Sequence, residues 1–290
     1  MADTLLSSLS RRARGILPKK WRRDLPVVPV VRLSGPIGMS TPFSQSLTLA
    51  GISKVLDKAF AVKGAPAVAL LINSPGGSPV QSHLIFRRIR ALAQEKEKHV
   101  FAFLEDAAAS GGYMIACAAD EIFADPCSIV GSIGVVTAGF GFDKAIEKLG
   151  IERRVFTAGE RKVTLDPFRP TRPEDVERLD TLLKELHTVF VDLVRSRRGD
   201  ALVGEDEQLF TGEFWLGTQA AGLGLVDGLG DVRGILKARY GEDVLMPLVQ
   251  GSSPFFLRRP SGFAGGLARS AAEGVIGAAE ERALWARLGL

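Results

Sequence analysis

The chain alternates short apolar runs with glycine- or proline-bearing turns and segments of helical period, and this alternation narrows its fold class more than any other feature. Residues 27–33 (VVPVVRL) are β-branched and read as a first strand, and 47–62 have helical spacing. Residues 67–73 (AVALLIN) form a continuous apolar run, the mark of a parallel strand buried on both faces. Ser74-Pro75-Gly76-Gly77 breaks that run, and 80–98 follow as an amphipathic helix with Leu84, Ile85, Ile89 and Leu92 on one face. The unit then repeats: a strand at 100–104 (VFAFL), a loop at 105–110, a small-residue helix at 111–119 and a strand at 121–124 (EIFA). Residues 131–136 (GSIGVV) follow a turn at Asp125-Pro126, with a helix expected at 142–149 and a strand at 153–157. Strand, turn, helix and strand in this order imply right-handed βαβ units, hence an α/β fold with a mainly parallel sheet. Further on, 173–198 is the longest helix candidate, with shorter helices near 218–223 and over 231–240. The Ala/Gly-rich stretch 262–290 reads as a C-terminal helix that packs on a partner.

Composition bounds the function classes. The 290 residues carry 37 Lys+Arg against 33 Asp+Glu, are 46% hydrophobic and 24% charged, and hold two cysteines. This balance excludes a disordered chain and a multi-span membrane protein, and two cysteines cannot make a disulfide framework. The positive charge is local. Residues 1–24 hold Arg11, Arg12, Arg14, Lys19, Lys20, Arg22 and Arg23 against Asp3 and Asp24, which leaves 30 basic and 31 acidic residues in the body. A nucleic-acid partner is therefore not expected. No apolar run of about 18 residues is present and the N-terminus lacks a signal-peptide core. The organisation expected is a basic leader (1–25) able to lie on an anionic membrane surface, a globular body (26–240) and a C-terminal tail (241–290). The location expected is cytoplasmic, or peripheral on the bacterial inner membrane.

Two strand-to-helix turns carry the chemistry. In 73–77 (NSPGG), consecutive glycines let the backbone approach a ligand and turn its N–H groups outward to an oxyanion; the alternative is a plain turn. In 107–112 (AAASGG), Ser110 follows a strand and opens a helix, where a nucleophile or a simple N-cap would sit. Loops at the carboxyl ends of parallel strands converge on one crevice, so one turn can offer the hydroxyl and the other the oxyanion donors. None of His83, His99 and His187 lies beside a Gly-rich turn, so each is expected to be structural. Lys162, in Ala158-Gly159-Glu160-Arg161-Lys162 after an expected strand, is the alternative base. A lysine acts so only when neutral, which desolvation favours, and Ser–Lys pairs are an established variant of triad logic. Taken alone, Lys162 reads equally as a surface lysine. No zinc motif, nucleophile elbow or phosphate loop appears, so no metal, nucleotide or organic cofactor is expected.

Taken together, residues 71–77 (LINSPGG), 109–116 (ASGGYMIA), 120–135 (DEIFADPCSIVGSIGV), 158–168 (AGERKVTLDPF) and 223–230 (LGLVDGLG) resemble the signal peptide peptidase A (SppA) family of serine proteases, in its short bacterial form. The resemblance covers about 27–240. It implies a ClpP/crotonase-like fold and a Ser–Lys dyad, with Ser110 matching the nucleophile and Lys162, 52 positions further on, the general base. Gly77 matches the oxyanion-hole glycine, with the Gly111 N–H as second donor, and Ser132 matches a lysine-orienting hydroxyl. It further implies a homo-oligomeric ring in which neighbouring subunits complete the dyad, and substrates that are signal-peptide remnants or other short, unfolded hydrophobic segments. The family usually carries an N-terminal membrane anchor, where this chain has the basic leader. Two other classes share parts of the pattern: a crotonase-like acyl-CoA enzyme, which would use the glycine turn without a Ser–Lys pair, and a non-catalytic oligomeric scaffold at a membrane surface.

Overall fold

The computed structural model describes residues 25–38, 46–159 and 161–250, together with 282, 285–286 and 288–289. The leader 1–24 and nearly all of the expected C-terminal helix lie outside the described residues. The described chain is a βα succession: β1 (Val30–Ser34), α1 (Leu49–Phe60), β2 (Ala67–Ser74), α2 (Pro79–Glu95), β3 (His99–Ala109), α3 (Gly111–Ala116), β4 (Glu121–Ala124) and β5 (Ile129–Gly131). It continues with α4 (Asp143–Lys148), α5 (Pro173–Arg198), a single turn α6 (Asp206–Leu209), β6 (Phe214–Leu216), α7 (Gly217–Gly222), β7 (Gly228–Leu229) and α8 (Val232–Tyr240).

The α/β reading holds: the sheet runs β1-β2-β3-β4-β7 with every pair parallel, and a branch adds β5 beside β3 and β6 antiparallel to β5. Both faces of β2 are buried, which is why its sequence lacks polar alternation. One face packs under α1, α2, α3 and the end of α5 through Leu33, Leu56, Phe60, Leu70, Ile72, Ile85, Ile89 and Tyr113. The other is covered by α8 and the chain after it, with Phe101, Phe103 and Phe123 meeting Leu236 and Val244. Residues 244–249, at the start of the expected tail, run beside the first strand: the Val28 and Val30 N–H groups donate to the Leu245 and Pro247 carbonyls at 2.8 and 2.9 Å.

Three local expectations change. The strand expected at 100–104 runs on to Ala109, through the stretch 105–110 read as a loop. It needs that length because its first half pairs with β4 and its last residues with β5. The expected strand at 153–157 is not one, so Lys162 does not follow a strand. Its β-branched residues have no neighbouring strand to pair with, and propensity alone does not make a ladder. The small-residue helix expected to reach 119 ends at Ala116.

Between β5 and α5 the chain leaves the body. Its side chains pack mainly on one another: Phe142 stacks on Phe168 and meets Phe140 at a tilt, and Arg153 lies over Phe168 and pairs with Asp166. Arg172 and Asp175 join it to the start of α5. Large apolar groups stay in solvent, with Phe140 80% and Phe156 92% exposed. Up to Val189, α5 likewise exposes Val176, Leu182, Leu186 and Val189, whereas its end buries Phe190, Leu193 and Val194.

Candidate active site

The site assembles at the carboxyl ends of β2 and β3, as the open-sheet rule requires. After β2 the chain turns at Gly76 and Gly77 into α2, whose start is fixed by the Ser78 hydroxyl accepting the Gln81 N–H and by Pro79 at the first helical position. Ile37, in the loop after β1, bridges this turn: its N–H donates to the Gly76 carbonyl at 2.8 Å and its carbonyl accepts the Ser78 N–H at 2.7 Å. In that parallel bridge the Gly77 N–H faces away from Ile37. Gly77 has φ +139°, and a Cβ there would overlap the Ile37 backbone, so only glycine gives both the turn and the close approach.

Ser110 follows β3 directly and precedes α3. Its N–H donates to the Gly131 carbonyl of β5 at 2.8 Å, and its carbonyl accepts the Met114 N–H at 3.0 Å. It holds φ +51° and ψ −120°, a strained conformation for a residue with a Cβ, and its hydroxyl makes no capping hydrogen bond. This departs from the simple N-cap alternative, which Thr48 and Asp231 adopt at their own helices. The tightness of the turn pair is measured at Gly76, where a Cβ would come within 2.8 Å of Ser110 Cβ. Gly111 is packed against Ser82 of α2 and Ile37. The structure therefore brings Gly77, Ser110 and Gly111 into one small volume.

Ser132 lies one residue past Gly131. Its N–H donates to the Glu213 carbonyl at 2.7 Å, its φ is +52°, and it is half-buried. His187 of α5 contacts the next carbonyl, that of Ile133, at 3.1 Å. His99 opens β3 among Asp120 and Glu121, and His83 stacks on Phe86; among the described residues no hydrogen bond or ion pair ties any of the three histidines to Ser110. Lys162 sits on an exposed turn in the projecting segment, where its N–H donates to Gly159. No hydrogen bond among the described residues joins it to Ser110. Among them, too, no group of acidic, histidine or cysteine side chains could hold a metal ion, and no helix is long and apolar enough to cross a membrane. Sequence reasoning missed the residues behind the turns: Ile37, Ser82, Asn73 and Ser128.

The model of the family described as "Peptidase family S49" matches residues 92–241, just over half of the chain, including Ser110, Ser132 and Lys162. The chain belongs to peptidase family S49. The resemblance to SppA proteases and the ClpP-like fold thus stand. As an S49 member it is 52% identical, over 95% of its length, to part of a Brucella abortus protein named "Na(+)/H(+) antiporter NhaA", and 51% identical to a protein of that name from Brucella melitensis. It is 33% identical over 84% of its length to "Serine protease SPPA, chloroplastic" of Arabidopsis thaliana. The chain spans only 38% of each of the two Brucella proteins and 37% of the Arabidopsis one. The antiporter name describes those longer proteins.

Proposed function

We propose that this S49 chain is a serine endopeptidase in which Ser110 attacks the peptide carbonyl. Lys162, neutral, takes the hydroxyl proton and passes it to the leaving amine, and water then releases the acyl group from Ser110. The N–H groups of Gly77 and Gly111 hold the oxyanion, and Ser132 orients the lysine; losing one oxyanion donor would lower turnover about 100–1,000-fold. The observation that carries the reading is Ser110 itself, held at positive φ against the glycine turn with no capping hydrogen bond from its hydroxyl. Strain of this kind persists only where surrounding structure enforces it, and a capping serine has no need of it.

Lys162 is exposed, in a segment whose Phe140 and Phe156 stand in solvent, and α5 leaves Val176, Leu182, Leu186 and Val189 exposed. This supports a homo-oligomeric ring in which the lysine reaches a neighbouring subunit's serine and the contact desolvates it. Substrates of this site are short, unfolded hydrophobic segments, signal-peptide remnants among them, and the basic leader 1–24 attaches the particle to an anionic membrane surface.

The test is cleavage of a fluorogenic peptide by wild type, Ser110→Ala, Lys162→Ala and a mixture of the two variants after subunit exchange. Each variant alone is expected to be inactive, and random mixed rings to recover roughly a quarter of the activity, since half the junction serines and half the facing lysines are intact. Activity in Ser110→Ala would overturn the reading. Mixed rings that exchange subunits yet recover nothing would overturn the shared dyad alone. Failure of a fluorophosphonate to label Ser110 would favour an acyl-CoA enzyme on this fold.

A further inference from the structure

β3 carries an irregularity three to five residues before Ser110. Up to Ile72–Leu104, β2 and β3 pair in constant register; the next pair is Ser74–Ala108. Between these pairs β2 uses one residue, Asn73, while β3 uses three, 105–107, so β3 carries a two-residue bulge. On its other side β3 changes partner over the same stretch, from β4 to β5.

A bulge leaves backbone groups without ladder partners, and here two side chains take them. The Ala107 N–H donates to Asn73 Oδ1 at 3.3 Å, and Asn73 Nδ2 donates to Asp106 Oδ2 at 2.6 Å. From the opposite side, the Ser128 hydroxyl, 1% exposed, is shared between the Leu104 carbonyl at 3.0 Å and the Glu105 carbonyl at 2.6 Å, and accepts the Asp125 N–H at 3.0 Å. A strand rises about 3.3 Å per residue, so taking up the two extra residues in line would carry Ser110 about 6–7 Å past the glycine turn.

We propose that Asn73 and Ser128 are positioning residues for the nucleophile: by satisfying the bulge from both sides they set the register that puts Ser110 beside Gly76 and Gly77. The inference rests on Ser110 being the nucleophile. Asn73→Leu keeps the volume and loses both hydrogen bonds; Asn73→Asp alone would set two carboxylates against each other at Asp106, whereas Asn73→Asp combined with Asp106→Asn keeps the acceptor for Ala107 and restores the second hydrogen bond with its direction reversed. With active sites counted per folded molecule, Asn73→Leu is expected to lower kcat about 10–100-fold, the scale of a displacement near 1 Å, with KM within about twofold. The Asn73→Asp/Asp106→Asn double variant is expected to recover most of that loss, and Ser128→Ala to show the same kcat-specific loss. Fluorophosphonate labelling of Ser110 should slow in parallel. A purely structural role predicts a lower unfolding midpoint with unchanged kcat per folded molecule, and that result would overturn the proposal. Should Asn73→Leu fail to fold, Asn73→Asp alone, which breaks the bond to Asp106, and Ser128→Ala carry the test: wild-type kcat in both overturns it. Ser110→Ala is run alongside. If it is inactive while the bulge variants keep wild-type kcat, only the positioning role fails; if it is active, both proposals fail.

Discussion

Gly111→Ala is a demanding test of the packing behind the candidate site. Gly111 occupies the first position of α3, where alanine is intrinsically better than glycine by about 0.5–1 kcal/mol. The added methyl, however, would overlap Ser82 Oγ and sit 3.3 Å from both Ser82 Cβ and Ile37 Cδ1. Ser82 is buried on α2 and its hydroxyl donates to the Ser78 carbonyl at 2.9 Å, so it has no free space to retreat into. Overpacking of this kind costs about 1–3 kcal/mol and outweighs the helix gain, for a net loss of about 1–2 kcal/mol. Ser82→Ala removes the offending oxygen. Its own cost is at the low end of about 0.5–1.5 kcal/mol, because the Ser78 carbonyl keeps the Ser82 N–H. The double variant should therefore be more stable than the sum of the singles by about 1–2 kcal/mol. Urea unfolding followed by the fluorescence of buried Trp215, in a Ser110→Ala background that prevents self-digestion, measures the cycle. Additivity within about 0.5 kcal/mol would refute the argument that Ser82 Oγ is what makes glycine necessary here.

Three further outcomes follow from other parts of the molecule. Arg198 is 7% exposed and holds Asp227 through two bonds of 2.9 and 3.0 Å while donating to the Gly224 carbonyl, so Arg198→Met is expected to cost about 3 kcal/mol in urea unfolding; a loss below about 1 kcal/mol would contradict this. Burial pushes the Cys117 thiol up to about 12, whereas Cys127 is exposed, so a thiol reagent at pH 8 should modify one cysteine quickly and the second only in denaturant. Asp231 caps α8, and the Gly234 and Arg233 N–H groups hold its carboxyl below the usual range. Its charge therefore stabilises the fold fully above the unfolded-state value near 3.9, and this contribution fades as pH falls through the lower folded value. Asp231→Ala should accordingly cost about 1 kcal/mol at pH 7 and progressively less in unfolding curves at pH 4 and 3; a penalty that grew on acidification would show the sign to be wrong.

The fold was legible where the chain obeyed its periods. The run 67–73 had the continuous apolarity of a doubly buried strand, and 173–198 had a helical stripe bounded by a proline and a glycine; the structure has a strand at Ala67–Ser74 and a helix at Pro173–Arg198. Within the site, the two glycine turns were visible because glycine pairs are needed wherever backbones meet this closely. The extension of β3 was hidden because Glu105 and Asp106 interrupt its apolar run. Their side chains leave the sheet at the bulge, and nothing local distinguishes that from a loop. The strand expected at 153–157 failed for the opposite reason, since β propensity was present and a pairing partner was absent.

Residue order alone determined the α/β class, the parallel sheet and the presence of two reactive-looking turns, because periodicity and glycine placement act over a few residues. Only the tertiary structure decided that Ser110 is strained instead of capping a helix, that Asn73 and Ser128 hydrogen-bond the bulge of β3 from both sides, and that Lys162 stands exposed. Each of these depends on contacts between chain segments tens of residues apart, and such contacts exist only once the sheet has formed.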